Sequence, residues 1–288
     1  MDITFVVCKN KSAKAVAVIT KVLGPSKAVT YDDFHGEFEN CSTVAMVCSF
    51  EHGQPEQEIS DFINHYSEQL KTKKIALIGT AENEFAGSSI VQNIAEKLGE
   101  CVAWAGCIDT CDMENHQSIS EETAVKLIAI KRRLKDSADM PRELLQQAID
   151  EFLHLHNTCA LCTGQNGDLR VTPIEYVYFQ NAIYFLSEGG EKFAHLAANP
   201  HASLAIYDAY TGFNSLGGLQ MEGFVQTVAL FSEEYNHVVT QKGLNASNMK
   251  KLPVTLHMFK VLPKRFELLE SALTKSHYSA KQVLESFN

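Results

Sequence analysis

Over residues 1 to about 138, stretches that are apolar at nearly every position alternate with stretches that are apolar on every third or fourth residue. ITFVVC, KAVTY, STVAMVCSF, KIALIGT and CVAWAGC are of the first kind and read as strands. Between them, Glu56 to Leu70 sets Ile59, Phe62, Ile63, Tyr66 and Leu70 along one helical face. Ala86 to Leu98 does the same with Ile90, Val91, Ile94 and Leu98, and Glu121 to Leu134 closes the series. A strand that is apolar on both sides must be covered on both sides. Such strands joined by helices predict an α/β half, with a doubly wound parallel sheet between two helical layers. No other feature of the chain narrows its fold so far.

KDSADMPRE interrupts this rhythm. It is polar, and Pro141 suits the first turn of a new helix, so the boundary is placed here, giving domains over 1–138 and 139–288. After a helix from Arg142 to His156 the chain turns to strands: CALCT, LRVTPIEYVYF, AIYFLS, ASLAIYD, LQMEGFVQTVAL, TLHMFKVL and RFELLE. GQNGD, QN and DAYTGFNSLGG supply the turns, and short helices are expected at Glu191 to Ala198 and Ser232 to Lys242. Runs of strands with such turns predict a mainly-β half, an antiparallel barrel or sandwich.

Composition excludes more than it selects. The net charge of −10 repels a phosphate backbone, and the densest basic run, Lys131-Arg132-Arg133 with Lys135, falls at a helix end that cations suit. No nucleic-acid partner is expected. No apolar run approaches the roughly 20 residues of a membrane helix. Lys9, Lys11 and Lys14 follow the first apolar run instead of preceding it, as they would in a signal peptide. A cytoplasmic protein with no membrane partner is expected. Of eight cysteines, Cys159 and Cys162 have the spacing C-x-x-C, but on a strand they face opposite sides, so no metal site or disulfide framework is expected. His154 and His156 are two apart and share no helix face. Thr80 to Ser89 lacks the lysine of a P-loop.

The second half carries an ordered set of features. A Gly-containing turn leads into Leu169-Arg170-Val171-Thr172-Pro173, then AIYFLS, a short helix with Lys192 near its start, AANPHASLAIYD and LQMEGFVQTV. In this order and spacing the stretch from Pro141 to Glu270 resembles the pyridoxamine 5′-phosphate oxidase-like, FMN-binding split-barrel family. The resemblance implies FMN as cofactor. Arg170 then belongs to the phosphate region, and the backbone of Val171 and Thr172, on the strand that runs to Pro173, meets the flavin ring. Ser187 and Lys192 grip the phosphate with a hydroxyl and a point charge at a helix start. It also implies a homodimer with flavin at the interface, and electron or hydride transfer with a small-molecule substrate or electron donor. Two positions depart from the family. Glu191 stands where a basic residue often precedes the lysine, and Gly218 stands where a glutamine is common, with Gln220 as its substitute on the same strand face. Read singly, Arg170 is a solvated barrel residue, Lys192 lies on an exposed helix face, and Ser187 caps a helix whose first turn is Glu188 to Glu191. Gly189 and Gly190 favour the flavin, because a plain cap needs no glycine pair. Related split barrels handle haem, for which His195, His201 or His257 would be the axial ligand. A non-catalytic flavin-binding or scaffold module is the third reading. Tyr207, Tyr210 and His257 lie near barrel strands, and no residue stands out as a general acid or base.

The first half resembles the flavodoxin family in strand and helix order. That family wraps an FMN phosphate with a T-x-T-G-x-T loop after the first strand. Here CKNKSA puts Cys8, Asn10 and Ala13 at the threonine positions and Lys11 at the glycine. The hydroxyls are mostly gone and the tight turn is restricted. The expectation is a degenerate phosphate loop that keeps Lys9, Lys11 and Lys14 as charge. Phe50 and Phe85 are candidates to flank a ring, with Glu82 and Glu84 beside Phe85.

Overall fold

The structure is a computed structural model that describes residues 3–39, 41–51, 54–81, 84–110, 119–135 and 138–286. The chain divides into two units, Met1–Asp136 and Ser137–Asn288.

The first unit runs β1 (Thr4–Cys8), α1 (Lys14–Val22), β2 (Ser26–Thr30), β3 (Thr43–Glu51), β4 (Gln54–Pro55), α2 (Gln57–His65), α3 (Ser67–Leu70), β5 (Lys74–Ala81), α4 (Glu84–Leu98), β6 (Val102–Asp109) and α5 (Glu121–Lys135). Five strands pair in parallel in the order β2-β1-β3-β5-β6, and the two-residue β4 folds back on β3. This is the doubly wound order of flavodoxins, with its switch point between β1 and β3. Alternate residues of each strand feed opposite layers. Phe5, Val7, Met46 and Leu77 pack under α2, α3 and α4 with Ile59, Phe62, Leu70 and Val91. Val6, Ala45, Ala76 and Ile78 pack under α1 and α5 with Val16, Ile19, Leu127 and Ile130.

The periodicity predicts one helix from Glu56 to Leu70, but the structure breaks it at Tyr66 (φ −107°, ψ 21°). The Tyr66 ring packs with Phe34, Phe38 and Phe62 at centroid distances of 5.0–5.5 Å, and its hydroxyl donates to Phe34 O at 3.1 Å. The aromatic cluster overrides the helical pattern there.

The second unit runs α6 (Arg142–Leu155), β7 (Thr158–Gln165), β8 (Asp168–Glu175), β9 (Val177–Phe179), β10 (Ala182–Ser187), α7 (Glu191–Ala198), β11 (His201–Tyr207), β12 (Gly217–Val228), α8 (Glu233–Gln241), α9 (Ala246–Met249), β13 (His257–Glu270) and β14 (Lys281–Glu285). All pairings are antiparallel, in the order β8-β7-β11-β12-β13-β10-β9, with β14 on β13. The sheet curls into a split barrel. Leu161, Leu204, Met221, Phe185, Phe259 and Phe266 meet inside it, against Leu145, Ile149 and Phe152 of α6. Asn166 and Gly167, and then Gln180 and Asn181, have positive φ (46°, 82°, 48° and 57°). That is what two-residue hairpin turns require.

Three strand boundaries differ from the sequence reading. LRVTPIEYVYF is two strands, because Tyr176 turns inward and donates its hydroxyl to Leu153 O at 2.8 Å. TLHMFKVL and RFELLE lie on one strand, β13, which crosses Pro263. Pro263 has no N–H to donate, and the ladder absorbs this with a bulge. Glu222 pairs with Arg265 and Gly223 with Pro263, leaving Lys264 as the extra residue. A Cβ on Gly223 would lie 2.4 Å from Leu262 O, so only glycine permits this approach. β14, which the sequence reading lacks, is held by a polar clasp. Asp139 accepts from Ser279 N (2.8 Å) and Oγ (2.6 Å) and from Gln282, while Gln282 Oε1 accepts from Asp139 N (3.1 Å) and Met140 N (3.2 Å).

Candidate functional site

The site begins with the pleat of β8. Arg170, Thr172 and Ile174 pair with Thr163, Leu161 and Cys159 of β7, all three buried, so these β8 residues face the barrel interior. Val171 and Pro173 face outward. Helix α7 then brings a second set of groups to the interior side. His195, itself buried, is bonded through both ring nitrogens, to Thr163 Oγ1 at 3.2 Å and to Asp168 Oδ2 at 3.3 Å. Asn199 Nδ2 donates to Gly164 O at 2.9 Å, and Phe193 packs edge-on against Phe259 at 5.5 Å. These contacts fix the start of α7 relative to Arg170. The sequence reading weighed His195 only as a haem ligand and missed Thr163 and Asp168. Their three-way contact joins residues far apart in the chain, and no local pattern signals it.

At the start of α7 the glycine pair makes the turn. Gly189 and Gly190 have φ of 140° and 110°, and Gly190 is the N-cap. Ser187 is therefore not the helix cap that a single-residue reading suggested. Its Oγ accepts from Gly189 N (3.3 Å) and donates to Gly189 O (3.1 Å), which folds the turn on itself. Lys192, only 8% exposed, donates from Nζ to the same Gly189 O at 2.6 Å. Burial first, and then the nearby Arg170 guanidinium, hold the Lys192 ammonium below the ordinary lysine range. Arg170 forms an ion pair with Glu191. Thus Arg170, Ser187 and Lys192 converge from β8, β10 and α7. His257 stands opposite Ser187 in the β10–β13 register, with its ring 5.8 Å from Phe193.

Two further observations bear on a ligand. Among the described residues Thr172 Oγ1 is buried without a hydrogen-bond partner, a state that costs about 1–3 kcal/mol unless something polar meets it. β8 also lies at the end of the strand order, so one side of its backbone carries no strand partner among the described residues. Two adjacent cations, a turn hydroxyl, an orphaned hydroxyl and a free strand edge fit a phosphorylated ring compound with polar edges.

Gln220 is elsewhere. The register runs Pro173, Ala160, Ala205, Gln220, Glu267 across five strands, which puts Gln220 on the outer face with Val171 and Pro173. There it lines a hollow of about 270 Å³ with Cys162, Val171, Ser203, Glu222 and Arg265. Within one chain it does not join the Arg170–Lys192 cluster. Tyr207 and Tyr210 are each 66% exposed and outside it too.

The first unit offers a second place to look, the crevice at the carboxyl ends of β1 and β3. Its lysines are engaged. Lys11 pairs with Asp33 at 2.8 Å and Lys9 with Glu58 at 3.3 Å, with Glu56 4.0 Å away. The loop also satisfies itself: Asn10 Oδ1 accepts from Ser12 N at 3.0 Å and Asn10 O from Ala13 N at 3.2 Å. Glu56, 6% exposed, sits among Cys8, Cys48 and Tyr31 and contributes to raising all three, with burial the larger cause in each, and Cys8 reaches about 11. Phe50 packs over Gly79 and Gly87, where built Cβ atoms would meet its ring at 3.0 and 2.6 Å, so it belongs to the core. These residues do not fit a phosphate. Glu82 and the side chains of Glu84 and Phe85 lie outside the described residues.

Comparison with known proteins bears on the second unit. A protein-family model described as pyridoxamine 5′-phosphate oxidase matches residues 145–269. Among solved structures the chain is similar to HutZ, the haem storage protein from Vibrio cholerae, at 21% identity and a TM-score of 0.36 over 41% of this chain and 89% of that one. It is similar to an FAD-binding protein from Mesorhizobium loti at 16% identity and 0.35 over 42% and 90%. ChuZ from Campylobacter jejuni matches at 16% identity and 0.41 over 59% and 70%. No curated protein matches the sequence. The stretch matched by the family model holds all of β8, β10, α7 and β12, and with them every residue of the barrel site. Residues 145–269 are therefore a domain of the pyridoxamine 5′-phosphate oxidase family, built on the split barrel that carries Arg170, Ser187 and Lys192.

Proposed function

We propose that the second unit binds FMN and passes electrons or hydride through it to a small-molecule partner. The observation that carries this reading is the convergence of Arg170 and Lys192 from separate elements at the start of α7, inside the family domain. Lys192 and Arg170 hold the phosphate, with the Ser187 hydroxyl beside them. The unpartnered side of β8 at Val171, Thr172 and Pro173 offers backbone donors and acceptors to the edge of the ring, and Thr172 Oγ1 gains the partner it lacks. His195 positions α7 through Thr163 and Asp168. Bound flavin supplies the redox chemistry, while the chain supplies placement and electrostatics.

The reading extends to a homodimer. Leu169, Val171 and Phe224 are 73%, 62% and 45% exposed on barrel strands, apolar area that a second copy would cover. Gln220, on the outer face, then meets the flavin held by the other copy. In the first unit the loop after β1, with its lysines paired to Asp33 and Glu58, is not read as a second flavin site.

The test is a visible spectrum of the purified protein with released flavin counted per chain. One flavin per chain supports the reading, and none after incubation with FMN overturns it. Hemin titration separates the haem alternative. That alternative has lost one ligand, since His195 is bonded at both nitrogens, which leaves His201 and His257.

A further inference from the structure

Glu191 departs from the family resemblance by sign, and it also has a definite partner. Its carboxylate, at the first residue of α7, takes the guanidinium of Arg170 across the gap to β8. Both side chains stay open to solvent, at 47% for Arg170 and 72% for Glu191. Lys192, the next residue, turns the other way, into the Gly189 carbonyl. Asp168, at the start of β8, is engaged with His195. One of the two cations that face an incoming anion is thus already neutralised by the chain itself.

Resting on the flavin reading above, we propose that Glu191 is a resident counter-ion that the FMN phosphate must displace from Arg170, so that the flavin is held as an exchangeable ligand. An ion pair this exposed is weak and opens readily, because water screens it and long side chains lose freedom in forming it. Displaced, the carboxylate remains tethered at the rim of the site, beside a phosphate dianion. Competition and repulsion act in the same direction, and both weaken FMN. Neither touches the ring. Glu191 therefore acts on the phosphate alone, and a flavin without a phosphate is indifferent to it.

The experiment titrates FMN and riboflavin into the full chain, read by quenching of flavin fluorescence, with release rates by stopped flow. The proteins are the parent, Glu191→Gln, Arg170→Ala and the double variant. Glu191 is exposed at a helix start, so the glutamine variant folds, which its melting temperature verifies. The expected result is FMN affinity about tenfold tighter in Glu191→Gln, mostly through slower release, the size expected of one charge at a partly exposed site. Riboflavin affinity stays within about twofold of the parent, and in the Arg170→Ala background the gain for FMN shrinks below about threefold, the mark of a coupled pair. FMN affinity unchanged by Glu191→Gln overturns the proposal, as does equal tightening of FMN and riboflavin, or an undiminished gain without Arg170. If neither parent nor variant binds any flavin, the flavin reading falls and the proposal with it.

Discussion

Lys192 carries the most constrained charge of the candidate site. Its stem is buried, its ammonium rests on a backbone carbonyl, and desolvation together with Arg170 disfavours the charged form. A phosphate at this point would reverse that, because it offers both cations an opposite charge. Replacing Lys192 and Arg170 together by alanine is expected to weaken FMN by about 100-fold or more, from the 1.5–3 kcal/mol typical of each charge-assisted hydrogen bond. Retention of parental affinity in the double variant would sink the site assignment. The pH dependence follows from the depressed lysine. FMN affinity is full while Lys192 is charged and falls as pH rises through its lowered pKa, earlier than an ordinary lysine would cause. FMN dissociation constants between about pH 7 and pH 10, in parent and Lys192→Arg, check this, since arginine stays charged throughout and flattens the curve.

Among elements, β13 and β14 make the clearest predictions. The bulge at Pro263 requires a glycine on β12, and Gly223→Ala is expected to cost about 1–3 kcal/mol, as an overpacked contact does. Denaturant unfolding of that variant measures it, and an unchanged midpoint would show that the bulge relaxes freely. The clasp at β14 depends on the Asp139 carboxylate. Hydrogen bonds from Ser279 and Gln282 hold its pKa below the ordinary carboxylate range, against a smaller opposing effect of burial. Its contribution is present above the unfolded pKa and is lost as pH falls through the folded one. Asp139→Asn is expected to lose about 1 kcal/mol near pH 7, a difference that closes as pH falls through the lowered pKa of the folded state. A gap that persists in acid would mean that the carboxylate's charge is not what matters.

For the whole molecule, the two units part in chemistry as they do in architecture. The first keeps the doubly wound sheet and its switch point, but the loop after β1 spends its lysines on Asp33 and Glu58 and its Ser12 N–H on Asn10. The count of flavin is therefore expected to be one per chain, and Lys11→Ala is expected to leave it unchanged. Two flavins per chain would return the first unit to the mechanism. Light scattering is expected to show a dimer, with flavin released on dilution as the copies separate. A monomer that keeps full flavin would remove Gln220 from the site.

What the sequence determined by itself was whatever is written in local spacing. Runs apolar throughout placed the strands of the first half, apolar residues at every third or fourth position placed the helices, and Gln180-Asn181 and Asn166-Gly167 marked hairpins in the second half. Glu191 to Ala198 was legible as a short helix between strands. What only the tertiary structure decided depends on contacts between distant segments. Tyr66 leaves its helix for an aromatic cluster, and Pro263 stays in a strand because Gly223 lies opposite. His195 meets Thr163 and Asp168, and Gln220 falls on the outer face because the register across five strands puts it there. Glu191 could be read as a missing positive charge. That it holds Arg170 depends on how closely α7 approaches β8, a distance no run of consecutive residues encodes.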